Sequence, residues 1–368
     1  MKSPSFGLPN PIGYSFGTSG NTTTVSPSSA INFDQYLINV NVSGTQNNFL
    51  QNADIRVLTD YLNSSGQFAT STFARARPDA QGNWIYSSVN DSNHRLGQLM
   101  AYYWIDNLKM TANNTLPNSW HVTGKNVGVY SMCYDANGSF SKNQGLGVNA
   151  FWTGKIANFA CMSYVGPFES AFDASVYDHE MGHANVDYGT NGQITQGNYA
   201  ISCSFSSGAS CCPSASGCAG AINEGQADVH SQIVFNSGIV GEFFLNNRTG
   251  LTGRDAELNQ NLTAQTMFNG TAVNPANNRT YGQAGQEIHY MGGVWGTAWW
   301  TLRQNLGAAI SDKIFFAHIE LLTGNDTFKT ALNAILSADQ TLVTNGVFTT
   351  NHRSQILAAF QQHGITPP

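Results

Sequence analysis

The stretch Tyr177-Asp178-His179-Glu180-Met181-Gly182-His183 carries the most specific chemistry in the chain. On an α-helix, residues four apart lie on one face one turn apart, so His179 and His183 can both turn an imidazole toward one metal ion. Glu180 follows the first histidine and can reach the ion's open coordination position, where a water would sit. In a chain with 9 His and seven Glu among 368 residues, about 0.004 chance matches to this pattern are expected. A helix with two unconnected histidines is therefore the weaker reading.

Two histidines do not complete a tetrahedral catalytic site. A third histidine just downstream is ruled out, because Val186 and Gly189 occupy the positions that follow His183. Further on lies Ala221-Ile222-Asn223-Glu224-Gly225-Gln226-Ala227-Asp228, read as the start of an apolar-periodic helix. Glu224 is the candidate third ligand. Asp228 shares its face and can accept the far-nitrogen proton of a ligand histidine, which fixes the tautomer. The blander reading of Glu224 is a carboxylate stabilised by a helix N-terminus. A third island, Gln286-Glu287-Ile288-His289-Tyr290-Met291-Gly292-Gly293-Val294-Trp295, places His289 before a glycine pair and a Trp-rich helix. Alone, His289 reads equally well as a site residue or as an ordinary histidine at a helix start. Trp295, Trp299 and Trp300 read as core.

Taken in order, four islands resemble the thermolysin-like zinc endopeptidases, in the broader gluzincin group that includes the fungalysins and takes a glutamate as third zinc ligand. Asn149-Ala150-Phe151-Trp152 resembles the edge strand along the substrate, His179 to His183 the zinc helix, Asn223-Glu224 with Asp228 the second helix, and His289 the transition-state histidine. The resemblance implies one catalytic Zn2+ held by His179, His183 and Glu224, with Glu180 as general base and acid and His289 stabilising the oxyanion. It implies a peptide or protein substrate bound along Asn149, Ala150 and Trp152, with Arg254 preferred over Arg248 for a substrate carbonyl. It also implies export and synthesis with a propeptide. Ser175 stands where the family often has a calcium-binding aspartate, so structural Ca2+ is left open. Ala284 replaces the usual partner of the transition-state histidine, and Glu287 is a candidate orienter at a different spacing. Neither Tyr188 nor Tyr199 fits the family's tyrosine helper.

The elements that must position these residues change character along the chain. Residues 1–30 read as an extended Gly/Pro/Ser/Thr-rich arm. Residues 31–167 read as a β-rich domain that includes the edge strand, with short apolar stretches such as Tyr36–Val40, Trp84–Tyr86 and Val127–Tyr130, a turn at Asn137-Gly138, and a helix over Leu96–Leu108. Residues 168–368 read as a mainly α-helical domain with a cysteine-rich insertion near 189–221. Its helices are expected over Ser170–Asn185, Glu224–Ile239, Glu287–Leu306, Ser311–Leu322, Thr327–Leu336 and Asn351–Gln362, the last capped by Thr350 or Asn351 and stopped by Gly364. These elements make the fold class α+β with a cleft between two layers, and the resemblance implies a thermolysin-like two-domain metallopeptidase with the zinc in that cleft.

Composition sets the outer bounds. Hydrophobic residues make up 41% of the chain and charged residues 10%, against roughly 25% charged in an ordinary soluble protein. Retained hydrophobicity at low charge excludes the charged form of disorder. With 16 Lys+Arg against 22 Asp+Glu, the formal charge of -6 lacks the basic stripe a nucleic-acid binder needs. No apolar run is long enough to span a bilayer, and the start has no apolar h-region, so a mature or trimmed form of an exported protein is expected. Cys133, Cys161, Cys203, Cys211, Cys212 and Cys218 read as disulfide-bonded in an extracellular setting. Cys133 with Cys161 is one candidate bridge, and Cys203 and Cys218 are the near candidates for Cys211 and Cys212. A monomer is the default oligomeric state. Two other functions stay open: a zinc amidohydrolase acting on cell-wall peptides, and a non-catalytic peptide-binding protein on the same scaffold.

Overall fold

The computed structural model describes residues 49–62, 68–69, 74–77, 95–131, 133, 150–162, 173–194, 215–241, 254–275, 278–282, 285 and 287–367. The expected arm over 1–30, the stretches Tyr36–Val40 and Trp84–Tyr86, the Asn137-Gly138 turn, Asn149, Tyr199, Cys203, Cys211, Cys212, Arg248 and Ala284 lie outside the described residues. The N-terminal region is strand-rich and the C-terminal region mostly helical, which makes the fold α+β. The chain forms two compact units, each assembled from three stretches.

The first unit comprises the described parts of Met1–Lys109, Val122–Met181 and Val234–Gly253. Its strands are β1 (Ile55–Leu58), β2 (Tyr61–Leu62), β3 (Phe68–Ala69), β4 (Val127–Tyr130), β5 (Ala150–Trp152), β6 (Phe159–Met162) and β7 (Ile239–Val240). Four of them form a sheet in the order β1-β4-β6-β5. β4 runs parallel to both β1 and β6, whereas β5 is antiparallel to β6, with Ala150 opposite Met162 and Trp152 opposite Ala160. All four residues of β4 are buried, as befits a strand with a neighbour on each side. β5 closes one edge of the sheet, where the sequence expects an edge strand. Cys133 and Cys161 form the expected disulfide across a separation of 28 residues and share a buried cluster with Leu58 and Tyr130.

Helices α1 (Arg95–Thr115) and α2 (Ala174–Gly189) run through both units. α1 continues beyond the expected Leu96–Leu108 and buries Met100 and Ile105 completely or nearly so. Within the first unit, the Tyr177 hydroxyl donates to the Gly97 carbonyl at 3.0 Å, which fastens the start of α2 to α1. Ser175 is committed to structure: its Oγ donates to Asp173 Oδ1 at 2.5 Å and accepts from the Gly241 N–H at 2.8 Å.

The second unit holds the described parts of Met110–His121, Gly182–Ile233 and Arg254–Pro368. After α3 (Ala215–Phe235) come β8 (Arg254–Asp255), α4 (Ala264–Phe268), β9 (Val273–Asn274), β10 (Arg279–Thr280), α5 (Ile288–Leu306), α6 (Ala308–Ile319), α7 (Phe328–Thr344) and α8 (Arg353–Gln362). Its core is aromatic. Trp295 stacks on Phe328 with centroids 5.2 Å apart and meets Phe360 edge-on, while Trp299 meets Phe315 edge-on at 5.3 Å. Burying a side chain of this size contributes at least about 1.5–3 kcal/mol. The tryptophans are core, as expected.

Several boundaries differ from expectation: α2 ends at Gly189 rather than Asn185, α6 spans Ala308–Ile319 rather than Ser311–Leu322, and α7 runs on to Thr344 rather than stopping at Leu336. α3 begins at Ala215 rather than near Glu224, so Cys218 lies in a helix and Glu224 lies in its interior. This overturns the reading of Glu224 as a helix-terminal carboxylate. Ala215, Ala219 and Ala221 supply helix propensity in a stretch whose Gly, Ser and Cys content reads as loop. α8 starts at Arg353 with His352 as its N-cap, and neither Thr350 nor Asn351 caps it. Asp339 on α7 takes that role instead, accepting from the His352 N–H at 2.6 Å and from its ring Nδ1 at 2.8 Å. Gly364 does stop the helix, with φ of 72°.

Candidate metal centre

α2 places His179, Glu180 and His183 together. All three are buried, and one ligand atom from each lies within 4.8 Å of the other two. Among the described residues this is the cluster of His, Cys, Asp and Glu side chains suited to a metal ion.

α3 supplies the next carboxylate through close helix contacts that depend on glycine. At Gly182, directly before His183, an added Cβ would lie 3.0 Å from the Ala227 Cα and 3.1 Å from His230. At Gly225, directly after Glu224, it would lie 2.6 Å from the Gly292 carbonyl oxygen and 2.7 Å from Trp295 Cδ1. At Gly292 it would lie 2.6 Å from the Cβ of Glu224 itself. Only helices stripped of side chains at these points approach so closely. The result is that Glu224 Oε1 stands 3.7 Å from His183 Nε2 and 3.4 Å from His289 Nε2.

The donor set fits zinc. Two donors about 2.0–2.1 Å from one tetrahedral ion are about 3.4 Å apart. The His183–Glu224 separation of 3.7 Å is close to that spacing and too long for a direct hydrogen bond. Two imidazoles and a carboxylate are the ligands a catalytic zinc site takes.

The surrounding groups hold this geometry. His183 Nδ1 donates to Asn223 Oδ1 at 3.1 Å, which leaves Nε2 turned toward Glu224. Sequence reasoning quoted Asn223 only as the neighbour of Glu224; its adjacency to that candidate ligand was the available signal. Asp228 lies 3.4 Å from Arg254 Nε, and Arg254 Nη1 donates to Glu224 Oε2 at 3.1 Å. Asp178, fully buried and next to His179 in the chain, is driven well above the usual carboxylate range by burial and then by Asp173.

His289 stands in the first turn of α5, and its neighbour Glu287 is the N-cap of that helix. One Glu287 oxygen accepts the His289 N–H at 3.0 Å, and the other accepts from the ring Nδ1 at 2.5 Å. This leaves Nε2 directed at Glu224. Burial acts to lower the His289 pKa, but Glu224 and the Glu287 hydrogen bond outweigh it and the net shift is upward. The imidazole is thus biased toward the protonated, donating form.

Behind α3 lies a second group of histidines with a different character. His230 Nδ1 donates to the Gln226 carbonyl at 2.8 Å, and its Nε2 accepts from Asn185 Nδ2 at 3.0 Å. Gln226 Nε2 donates to His318 Nε2 at 2.7 Å. Burial drives His230 down to about 3 and His318 down to about 4. Both are neutral and fully hydrogen-bonded, so they serve structure.

Of the other sequence candidates, Ala150 and Trp152 sit on the edge strand β5 and are buried. Tyr188 is partly buried and its pKa is raised, first by burial and then by Asp187. No protein-family model matches the chain, and no curated protein matches it.

Proposed function

We propose that the protein is a zinc-dependent endopeptidase of the gluzincin type. The observation that carries this reading is the buried His179-Glu180-x-x-His183 constellation with Glu224 Oε1 3.7 Å from His183. His179, His183 and Glu224 would hold the ion. When bound, Zn2+ supplies Lewis acidity that activates water and polarises the scissile carbonyl. Glu180 takes the proton released by the attacking water and delivers it to the leaving nitrogen, first as base and then as acid. His289, oriented by Glu287, donates to the oxygen on which charge develops. Arg254 contributes a donor for a substrate carbonyl.

Peptide binding follows from the sheet edge. An extended segment can add to β5 through backbone hydrogen bonds, with Ala150 and Trp152 along its path. Such binding selects an extended backbone rather than a particular side chain. No helix among the described residues is long and apolar enough to cross a membrane. Together with the Cys133–Cys161 disulfide, this supports a secreted enzyme acting on a diffusible peptide or protein.

The decisive experiment measures zinc content and casein hydrolysis side by side. Glu180→Gln should retain zinc while turnover collapses, and Glu224→Ala should lose zinc affinity. A fully active preparation without zinc would refute the mechanism. Activity on cross-linked wall peptides with none on casein would point to a cell-wall amidohydrolase, and zinc binding with no hydrolysis of either to a peptide-binding protein.

A further inference from the structure

We propose that Arg254 is a positioning residue for the metal ligand Glu224, holding its carboxylate so that Oε2 is occupied and Oε1 faces the metal-binding imidazole. This role rests on the zinc-centre reading above and is additional to the donor that Arg254 offers a substrate carbonyl.

The argument begins with charge. Glu224 and Asp228 lie one turn apart on the same face of α3, and their side chains are 0% and 3% exposed. Two carboxylates so placed repel each other and are costly to bury without a countercharge. Arg254 reaches both, with Nη1 3.1 Å from Glu224 Oε2 and Nε 3.4 Å from Asp228 Oδ1. A guanidinium presents these donors in one rigid plane, so contact with both acids fixes the orientation of the Glu224 carboxylate. A lysine ammonium is a point charge and cannot impose that plane.

The base of the arginine is also held. Its neighbour Asp255, buried on β8, accepts the N–H groups of Glu257 at 2.9 Å and Leu258 at 3.0 Å, which locks the turn that follows. The two Glu224 oxygens therefore have separate partners: Oε2 the guanidinium, and Oε1 His183 at 3.7 Å and His289 at 3.4 Å. A carboxylate with one oxygen so engaged coordinates through the other. One-oxygen coordination keeps the ion at three protein ligands with an open position for water.

The test compares the full-length wild type with Arg254→Lys and Arg254→Ala. Chelator competition gives the zinc Kd of each, and the visible absorption of the cobalt-substituted proteins reports coordination number. Both variants should bind zinc about 10–100-fold more weakly, a typical cost of losing a partner that orients a ligand. Their cobalt bands should weaken as Glu224 turns to two-oxygen coordination. Circular dichroism and Tm of the metal-free proteins check folding, and Arg254→Lys, which keeps the charge and stem, is the variant read if Arg254→Ala does not fold. A wild-type zinc Kd and cobalt spectrum in the folded variant, whatever its Tm, would overturn the proposal. A wild-type protein that binds no zinc would instead overturn the metal-centre reading on which it rests.

Discussion

Replacing His230 with phenylalanine should remove a large part of the protein's acid sensitivity. The imidazole is fully buried in the second unit, edge-on to Phe315 with centroids 4.9 Å apart and to Phe316 at 5.7 Å, so a phenyl ring suits the site. Burial depresses the folded pKa from 6.5 to about 3. A histidine whose folded pKa lies below its unfolded value binds its proton only on unfolding. Its stabilising contribution is complete above pH 6.5 and is lost as pH falls toward the folded pKa. Between pH 7 and pH 5 that loss is about 2 kcal/mol for His230 alone. His318, driven down to about 4 chiefly by burial, adds a similar loss. Asp255 opposes both, because burial raises its folded pKa to about 6 and acid then favours the folded state. The useful quantity is therefore a difference of differences, in which Asp255 and His318 cancel. Urea unfolding followed by tryptophan fluorescence, in saturating zinc, should show His230→Phe less stable at pH 7 by about 1–3 kcal/mol for the lost hydrogen bonds. Its stability should then fall by about 2 kcal/mol less than that of the wild type on moving to pH 5. Equal declines in the two proteins would refute the assignment of His230 as a buried neutral imidazole.

Other outcomes follow from the same geometry. His289→Ala should lower kcat/KM about 100-fold, or about 2.7 kcal/mol of transition-state stabilisation, with zinc content unchanged; a folded, zinc-loaded variant with wild-type kcat/KM would remove His289 from the reaction. Gly225→Ala, whose Cβ would stand 2.6 Å from the Gly292 carbonyl oxygen, should cost about 1–3 kcal/mol in unfolding free energy and weaken zinc binding by displacing Glu224, measurable by denaturation and metal titration. Mass spectrometry of non-reduced digests should recover Cys133 linked to Cys161 and find no free thiol among the other four cysteines; abundant alkylatable thiols would contradict a secreted protein. Loss of that bridge, which closes a loop across 28 residues, should cost about 3–4 kcal/mol.

The metal helix was legible in the sequence because its chemistry is local. His179, Glu180 and His183 fall on one face through the helical repeat alone, and no distant residue is needed to predict it. The α+β character, the tryptophan core and the Gly364 stop were read in the same way, from composition, period and backbone preference, whereas the edge strand at Ala150–Trp152 was reached only through the family resemblance. Glu224 was reached through stoichiometry, since two histidines demand a third ligand, and not through any local pattern. Local pattern in fact misplaced it, because the small residues from Ala215 to Gly220 resemble loop, whereas α3 begins there and buries Glu224 in its interior. The contacts that decide how the site is held were beyond the sequence: Gly225 against Gly292, Asn223 against His183, Arg254 across Glu224 and Asp228, and Asp339 capping α8. Each joins side chains or backbones from elements whose separation along the chain implies nothing about their distance in space. A periodicity specifies the face a residue occupies, but which partner meets that face depends on how the helices cross, and here that crossing is set by glycines that bring the backbones of α3 and α5 together.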